Sequence, residues 1–516
     1  MMNFFRLIFI AVFTVYSFNS IAQTPDDALR AGWFIPGGSA RNISIGGAMG
    51  SLGGDISANH INPAGLGFYK TREIVLSPGF MLNNNSADYR GTGTNSIAKN
   101  VFAFGTSGYV GGGRAKDMNT FETFAITINQ TASYNKQVYY KGGNNVTSYS
   151  EQYLEELTRD GADITAASNN YIFGSTLAFF TYLVDSVNDA NGNLTGYRSL
   201  VSPSGGLLQE YDALSSGGLY ELALGYASSK EDRLYLGASL GIPLSIYKNE
   251  LNFTETDISG NLDNDFSFSA FHQTINSTGI GINAKLGIIY KPDEYIRLGF
   301  ALHTPSFMSF SDKIRADMIT DTEGYAGTVS ESSDNLNAGA PGTRNYSQIS
   351  PWRAIASASL VLRESQDARL QKGFVTADIE YVNYQGVRFY TQEDENGYTD
   401  PVLESYYDAL KNATKDYLKG AFNLRAGAEI KFSPWAVRGG FAYYGNPYQD
   451  KLLKASWLMG AAGIGYRDNG IFIDATYAYA VNKDVSFPYR LNDAPNTFAT
   501  TKNNRGNILL TVGFKL

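Results

Sequence analysis

NLRAGAEIKF (residues 423–432) alternates with a period of two. Leu424, Ala426, Ala428, Ile430 and Phe432 fall on one face, and Arg425, Gly427, Glu429 and Lys431 on the other. Alternation of this kind marks a β-strand with one apolar face. The pattern recurs in GLYELALGYAS (218–228), where Tyr220, Leu222, Leu224 and Tyr226 oppose Glu221, and in GIGINAKLGIIY (279–290), where Ile280, Ile282, Leu286 and Ile288 oppose Lys285. YIRLGFALH (295–303) sets Arg297 against its apolar side, and NILLTVGFKL (507–516) alternates to the last residue through Ile508, Leu510, Val512, Phe514 and Leu516. In each case the second face carries charge beside glycine, and tyrosines mark the strand ends.

Two architectures produce such faces. A soluble sandwich hides its apolar faces between sheets, whereas an outer-membrane barrel turns them to lipid and its polar faces to the lumen. Connection lengths decide between them. KPDE (291–294), SP (433–434), DNG (468–470) and the link from Lys230 to Asp232 are tight turns, and they alternate with long connections near 135–217, 304–350, 385–420 and 483–505. Short turns at one end and long loops at the other are the plan of a bacterial outer-membrane barrel. Strands are expected near 73–83, 97–109, 120–134, 219–228, 234–246, 266–290, 295–303, 352–363, 373–384, 421–432, 436–445, 456–467, 471–480 and 506–516. The expected fold is therefore all-β: an antiparallel transmembrane outer-membrane β-barrel of about fourteen strands, an even number that returns both termini to the periplasm.

Composition agrees. The 516 residues include 54 Gly, 35 Tyr, 31 Phe and no Cys, with 17% charged residues, where a soluble domain carries about a quarter. Zero cysteines exclude a disulfide framework. A net charge of -8 offers no basic footprint for nucleic acid. At the N-terminus Arg6, the apolar LIFIAVFTVYSF (7–18) and Ser20-Ile21-Ala22 read as a secretory signal peptide over residues 1–22, with the mature chain starting at Gln23. Its apolar run falls short of the roughly twenty residues that span a bilayer.

Between that leader and the first strand lies SARNISIGGAMGSLGGDISANHINPAGLGF (39–68), which has no strand period. A fourteen-strand barrel leaves an open lumen, so residues 23–70 are expected to form a lumenal hatch, or plug, with residues 71–516 forming the barrel. Gly46, Gly47, Gly50, Gly53 and Gly54 allow tight turns and close approach to the wall, and Pro63 stiffens the turn into the first strand. Ile43, Ile45, Met49, Leu52, Ile56, Ile61 and Leu66 argue against a disordered leader.

This stretch resembles the N-terminal hatch of the FadL/TodX-type outer-membrane transporters of long-chain fatty acids and aromatic hydrocarbons, with its motif at Asn62, Pro63 and Ala64. The resemblance extends to KLGIIYKPDEYIRLGFALHTPS (285–306), ADIEYVNY (377–384), NLRAGAEIKF followed by VRGGFAYY (437–444), and GIGYRDNGIFIDATYAY (463–479), in the order of that family's fourteen-strand layout. It implies passive uptake of hydrophobic small molecules through a hatch-plugged barrel with lateral exit into the membrane. It also implies a bacterial outer-membrane location, and as partners a hydrophobic ligand, outer-membrane lipid and lipopolysaccharide, and the barrel-assembly machinery that inserts such chains. The protein is expected to be a monomer without cofactor. In the family the exit uses a kink in the third strand. Here TFETFAITINQ (120–130) has no Gly or Pro to break its ladder, while Pro78, Gly79, Gly105, Gly108 and Gly111 to Gly113 punctuate the two strands before it.

The alternation places Glu221, Lys285, Arg297, Asp378, Glu380, Arg425, Glu429, Arg438 and Asp474 in the lumen, with both signs interspersed. Such groups need partners, either each other or the hatch. In the outer loops, SEQYLEELTRD (150–160), capped by Ser150, and LESYYDALKNATKDYLKGAF (403–422) read as amphipathic helices. Phe173, Leu177, Phe179, Phe180 and Tyr182 form an apolar cluster that is a candidate ligand groove. Two other classes stay open: a docking or secretion platform built on the same fold without solute transport, and an outer-membrane enzyme. The enzyme reading is poor. GASLG (237–241) puts Ser239 inside an alternating strand rather than at a strand-to-helix elbow, and His60, His272 and His303 have no metal-ligand spacing.

Overall fold

The computed structural model describes residues 27–30, 32–95, 98–115, 120–362, 372–393, 397–399, 401–451 and 453–516. The signal peptide expected over 1–22 lies outside the described residues.

Fourteen antiparallel strands close on themselves. They are β1 (Arg72–Leu76 and Pro78–Tyr89), β2 (Lys99–Phe104 and Ser107–Arg114), β3 (Thr120–Ser133 and Lys136–Asn144), β4 (Leu207–Lys230), β5 (Leu234–Asp257), β6 (Phe268–Tyr290) and β7 (Ile296–His303 and Phe307–Asp321). The second half comprises β8 (Gly342–Ile349 and Arg353–Leu362), β9 (Gly373–Asn383 and Arg388–Thr391), β10 (Gly420–Phe432), β11 (Trp435–Tyr444), β12 (Ser456–Asp468), β13 (Ile471–Ser486) and β14 (Ala499–Lys515). Each strand pairs with the next, and β14 returns to β1 through Ile74↔Phe514 and Phe80↔Ile508. Closure removes the free edges that an open sheet exposes.

The side-chain period sets which face meets which medium. On β10, Leu424 and Ile430 are 47% and 53% exposed on the outside, whereas Arg425 and Glu429 retain 4% and 1% inside. On β14, Ile508, Leu510 and Phe514 point outward, and Leu509 and Thr511 are buried. A one-residue slip would reverse all of these. Tyr226, Tyr290, Tyr295, Phe432 and Trp435 stand exposed beside the short turns, where aromatic girdles sit in membrane barrels.

The fourteen strands match the expected positions, but several run further at the long-loop end. Residues 304–350, expected as a loop, carry the outer half of β7 paired with the start of β8 from Phe307↔Ile349 to Ile314↔Gly342. There the outer face turns from lipid to water and carries Ser309, Ser311, Lys313 and Arg315, while Met308, Phe310, Ile314 and Ala316 turn inward, so the apolar alternation changes phase. Helices Glu151–Arg159, Ile164–Asn169, Ser175–Phe180 and Pro401–Tyr417 lie in the outer loops. Ser150 does not cap the first of these, since it has helical dihedrals and no capping hydrogen bond.

The chain ahead of β1 is packed inside the barrel. It forms short helices at Asp27–Arg30, Ala40–Ser44 and Ala58–Ile61 and a 3-10 helix at Pro63–Phe68. Between Gly38 and Tyr69 the one exposed residue is Gly54. Ala40 N donates to Thr511 Oγ1 at 2.8 Å, and Thr511 is also in contact with Ser77 Oγ at 2.8 Å. A lumen-facing position on β14 is therefore a packed contact, not a tolerant site facing open water.

The lipid-facing register predicts depth-dependent costs. Leu510→Arg, in the middle of the apolar band, is expected to destabilise the barrel by about 2–4 kcal/mol, and Leu516→Arg at its edge by about 0–1 kcal/mol. Unfolding titrations in lipid vesicles measure both, and equal costs would refute their placement at different depths.

Candidate functional site

The N-terminal segment reaches the wall because the wall lacks side chains where they meet. A Cβ on Gly440 would land on the backbone of Ile45 and Gly46, and one on Gly427 on Ile45. A Cβ on Gly237 would strike Pro63 and Ala64, and one on Gly299 would strike Gly50 and Ser51. These glycines are the uncharged members of the inward faces noted in the sequence. On the segment's side, Gly46 and Gly47 turn the chain with φ of 71° and 78°, a region that side chains disfavour.

Asn62 fastens the other end. Its Oδ1 accepts from Ala64 N at 3.2 Å and caps the 3-10 helix that Pro63 opens. Its Nδ2 donates to Gly50 O at 2.6 Å and reaches Ile288 O and Phe300 O, on β6 and β7, at 3.3 and 3.4 Å. Gly287 leaves room for this, since a Cβ there would collide with the Asn62 side chain. Ala64 is fully buried against Tyr235 and Ile289.

All nine charged residues assigned to the lumen are buried, and eight of them pair in three groups. Lys285 Nζ lies 2.6 Å from Glu221 Oε1, which also holds His60 Nδ1 at 2.8 Å. Arg425 bridges Asp378 at 3.8 Å and Glu380 at 3.6 Å. Arg438 sits between Glu429 and Asp474, 2.5 Å from each. The segment completes these groups: Arg41 Nε lies 3.4 Å from Glu429, and Gly50 N donates to Asp378 at 3.1 Å. Arg297 Nη1 donates to Leu52 O at 2.6 Å while its guanidinium stacks on Phe68. Breaking a buried pair by removing one partner costs about 3–5 kcal/mol, so the segment is held as firmly as the wall. Sequence reasoning missed Arg41 and the part played by His60, although a lone basic residue within SARNIS was a visible signal. His60 also lies 2.8 Å from Thr127 Oγ1 on β3, and burial pushes its imidazole below the ordinary range.

Above the segment a cavity of about 610 Å³ lies inside the barrel mouth, lined by Trp33, Phe34, Tyr247, Trp457 and Phe487 among others. It adjoins a second cavity of about 50 Å³ that shares Ala132, Ser133 and Arg505 with it. This smaller space runs between Ile35, Pro36 and Ile43 of the segment and Ala103, Phe104 and Gln130 of the wall. There the wall is incomplete. β2 pairs with β3 from Arg114↔Phe121 to Ser107↔Ile128, and Lys99–Phe104 has no ladder with β3 among the described residues.

The break lies in the third strand, but neither glycine nor proline makes it. Pairing with β4 jumps from Gln130↔Tyr220 to Ala132↔Leu219, leaving Thr131 as a bulge that bends the strand. Phe104 N turns to the Gln130 side chain at 3.0 Å, and Gly37 N donates to Thr131 O at 3.3 Å. Further out the wall closes again through Asn85 Nδ2 to Gln137 O at 2.6 Å and Thr94 Oγ1 to Tyr139 O at 2.9 Å. Unpaired backbone at membrane depth is tolerated only where it lines a cavity or is covered by protein. Both conditions hold at this window.

The apolar cluster of the outer loops is placed differently from a groove. Phe173 and Leu177 are buried in a core with Tyr149, Tyr153, Phe253 and Phe271, with Phe179 packed at its margin. Tyr182 stands outside against Tyr325, and Phe180 touches Phe179. None of the five lines either of the two cavities. Ser239 lies buried in mid-strand β5, and no group of three metal-ligating side chains occurs among the described residues.

The fit between segment and wall is open to test. Arg41 is the single tryptic site between Arg30 and Lys70. In the wild type trypsin is expected to spare it. Gly440→Val should expose it while the barrel keeps its heat-resistant mobility on gels. Gly439→Val, which meets nothing within 4 Å, should not.

No family model matches the sequence, and no curated protein matches it either. Solved structures do match the fold. One is a Pseudomonas aeruginosa FadL homologue, with a TM-score of 0.53 and 13% identity over 94% of this chain and 99% of that one. Another is the P. putida toluene transporter TodX, with a TM-score of 0.52 and 13% identity over 93% and 99%. A TodX monoaromatic hydrocarbon channel deltaS2 mutant gives 0.53 at 12% identity over the same shares. With both chains covered almost end to end, the backbone described here has the FadL/TodX-type fold, a closed antiparallel barrel of fourteen strands.

Proposed function

We propose that the protein is a bacterial outer-membrane channel for passive uptake of hydrophobic small molecules, in which residues 27–68 act as the hatch. Ligand enters the outer cavity and leaves sideways through the window between β2 and β3. The observation that carries this reading is the adjacency of the two cavities, which share Ala132, Ser133 and Arg505, beside a gap in the wall, with the smaller one lined by Ile35, Ile43, Met81, Phe104, Met459 and Leu509 among others. Straight down the axis, an apolar molecule would meet Glu221, Lys285, Glu380 and Arg425 around a space of about 100 Å³, and would have to separate buried ion pairs to advance. Sideways it meets apolar side chains and then lipid. The named toluene transporter with the same fold supports the reading.

On this account Asn62, Pro63, Ala64, Gly46 and Gly47 set the hatch against the wall. Passage requires the hatch to shift, because a plug with a single immovable state transports nothing. His60 spans β3 through Thr127 and β4 through Glu221 just below the window, so a shift there would reach the window's lower edge.

Deletion of Thr131 removes the bulge residue and restores one-to-one pairing of β3 with β4. Cells producing this variant at wild-type surface levels are expected to lose most uptake of labelled oleate and toluene while the barrel stays folded. Asn62→Ala with Pro63→Ala should also leave a folded barrel and change uptake. Wild-type uptake by the Thr131 deletion would rule out lateral exit at this window.

A further inference from the structure

The charge inside the outer cavity runs opposite to that of the whole chain. The protein has 41 basic and 49 acidic residues, yet the cavity is lined by four cations, Arg30, Lys136, Arg490 and Arg505, and one acid, Asp484. Asp484 is engaged with Lys136 at 3.5 Å. Arg30 lies over Tyr247 and Arg490 over Phe487. Arg505 differs from both. It lines the outer cavity and the window cavity alike, and no carboxylate pairs with it among the described residues. One face of its guanidinium covers Trp457 at 5.3 Å, and its Nε donates to Asn83 Oδ1 at 3.1 Å. Its two terminal nitrogens make no hydrogen bond to the described residues.

These contacts fix the plane of the guanidinium and leave its fork free. A fixed, unoccupied fork matches the two oxygens of a carboxylate. Arg505 is half-buried and its terminal nitrogens face the cavity, so an incoming acid would pair with them at the point where ligand passes from mouth to window. The walls beside it are flat aromatics: Trp33 and Trp457, 6.0 Å apart, and Phe34. Beside the window, Asn507 Oδ1 is buried without a partner.

We propose that the molecule carried is an organic acid with an apolar, ring-bearing body, and that Arg505 holds its carboxylate at the turn from outer cavity to window. This rests on the uptake reading and narrows it, because a neutral hydrocarbon leaves the fork empty. Arg505 is then a specificity residue, and the excess of cations around it draws anions into the mouth.

The test uses a matched pair, 2-naphthoate and its methyl ester, titrated calorimetrically into the full-length protein in a neutral detergent. Wild type is expected to prefer the acid by at least about tenfold, the scale of one charge-assisted pair. Arg505→Gln should erase the preference by weakening the acid and sparing the ester, and Arg505→Lys should keep part of it. Heat-resistant gel mobility verifies that both variants are folded. Equal binding of acid and ester by wild type, equal losses of both in Arg505→Gln, or no binding of 2-naphthoate up to millimolar concentration would each overturn the proposal. Such a result would leave lateral exit standing, since that is read from uptake by the Thr131 deletion.

Discussion

A closed sheet has a lumen of fixed width, and forty residues of chain can occupy it only if the wall yields space. Here it does so by omitting side chains. Gly237, Gly299, Gly427 and Gly440 let the backbone of the inner segment lie against the backbone of the strands. Contact at that range leaves little room for water, so polar groups at the boundary depend on partners in protein. The ion pairs of Arg41, Arg425 and Arg438, and the three carbonyls reached by Asn62, follow from this constraint. The glycines come first and the charges answer them.

On the proposed uptake reading, the same packing gives a reason for the route to bend. A ligand that moved down the axis would separate buried carboxylates from their guanidinium partners, which is among the costliest changes a protein interior can undergo. On the same reading, a ligand that moves sideways meets mainly apolar side chains and two hydrogen bonds, from Phe104 N to Gln130 and from Gly37 N to Thr131 O, and no buried ion pair. On that reading the bulge at Thr131 and the firmly packed inner segment are complementary: the firmer the axis, the more the wall would have to provide the way out.

How far the sequence revealed this depends on whether two faces of a strand meet different media. Leu424 against Arg425, or Ile288 against Lys285, contrast lipid with lumen, so all nine inward charges were legible from alternation. Where β7 and β8 rise above the apolar band the outer face meets water while Met308, Phe310, Ile314 and Ala316 turn inward, so the phase of the alternation reverses and Ser311, Asp312 and Lys313 look like loop. The bulge at Thr131 was not legible, because an extra residue in a strand needs no special side chain and shows only in its pairing with Tyr220 and Leu219. Phe173 and Leu177 were recognised as an apolar cluster, but periodicity does not say whether such a cluster encloses a ligand or another side chain. Arg505 was not legible for the opposite reason: that no carboxylate pairs with it among the described residues emerges only from the fold, and a sequence does not display absent partners.

The strands are uneven in length, and this shapes the mouth. β4 and β5 have 24 residues each, whereas β10, β11 and β12 have 13, 10 and 13. At about 3.3 Å per residue and a tilt near 45°, the long strands rise to about 55 Å and the shortest to about 25 Å, the height of the apolar band alone. The barrel is therefore cut on a slant. In an outer membrane its tall side would stand through the sugar layer of the lipopolysaccharide as a chimney wall, while its low side ends near the headgroups under the canopy of the Pro401–Tyr417 helix. On the uptake reading, molecules would be received from above that layer, from the surrounding fluid, and would not first have to dissolve in the leaflet that the barrel crosses.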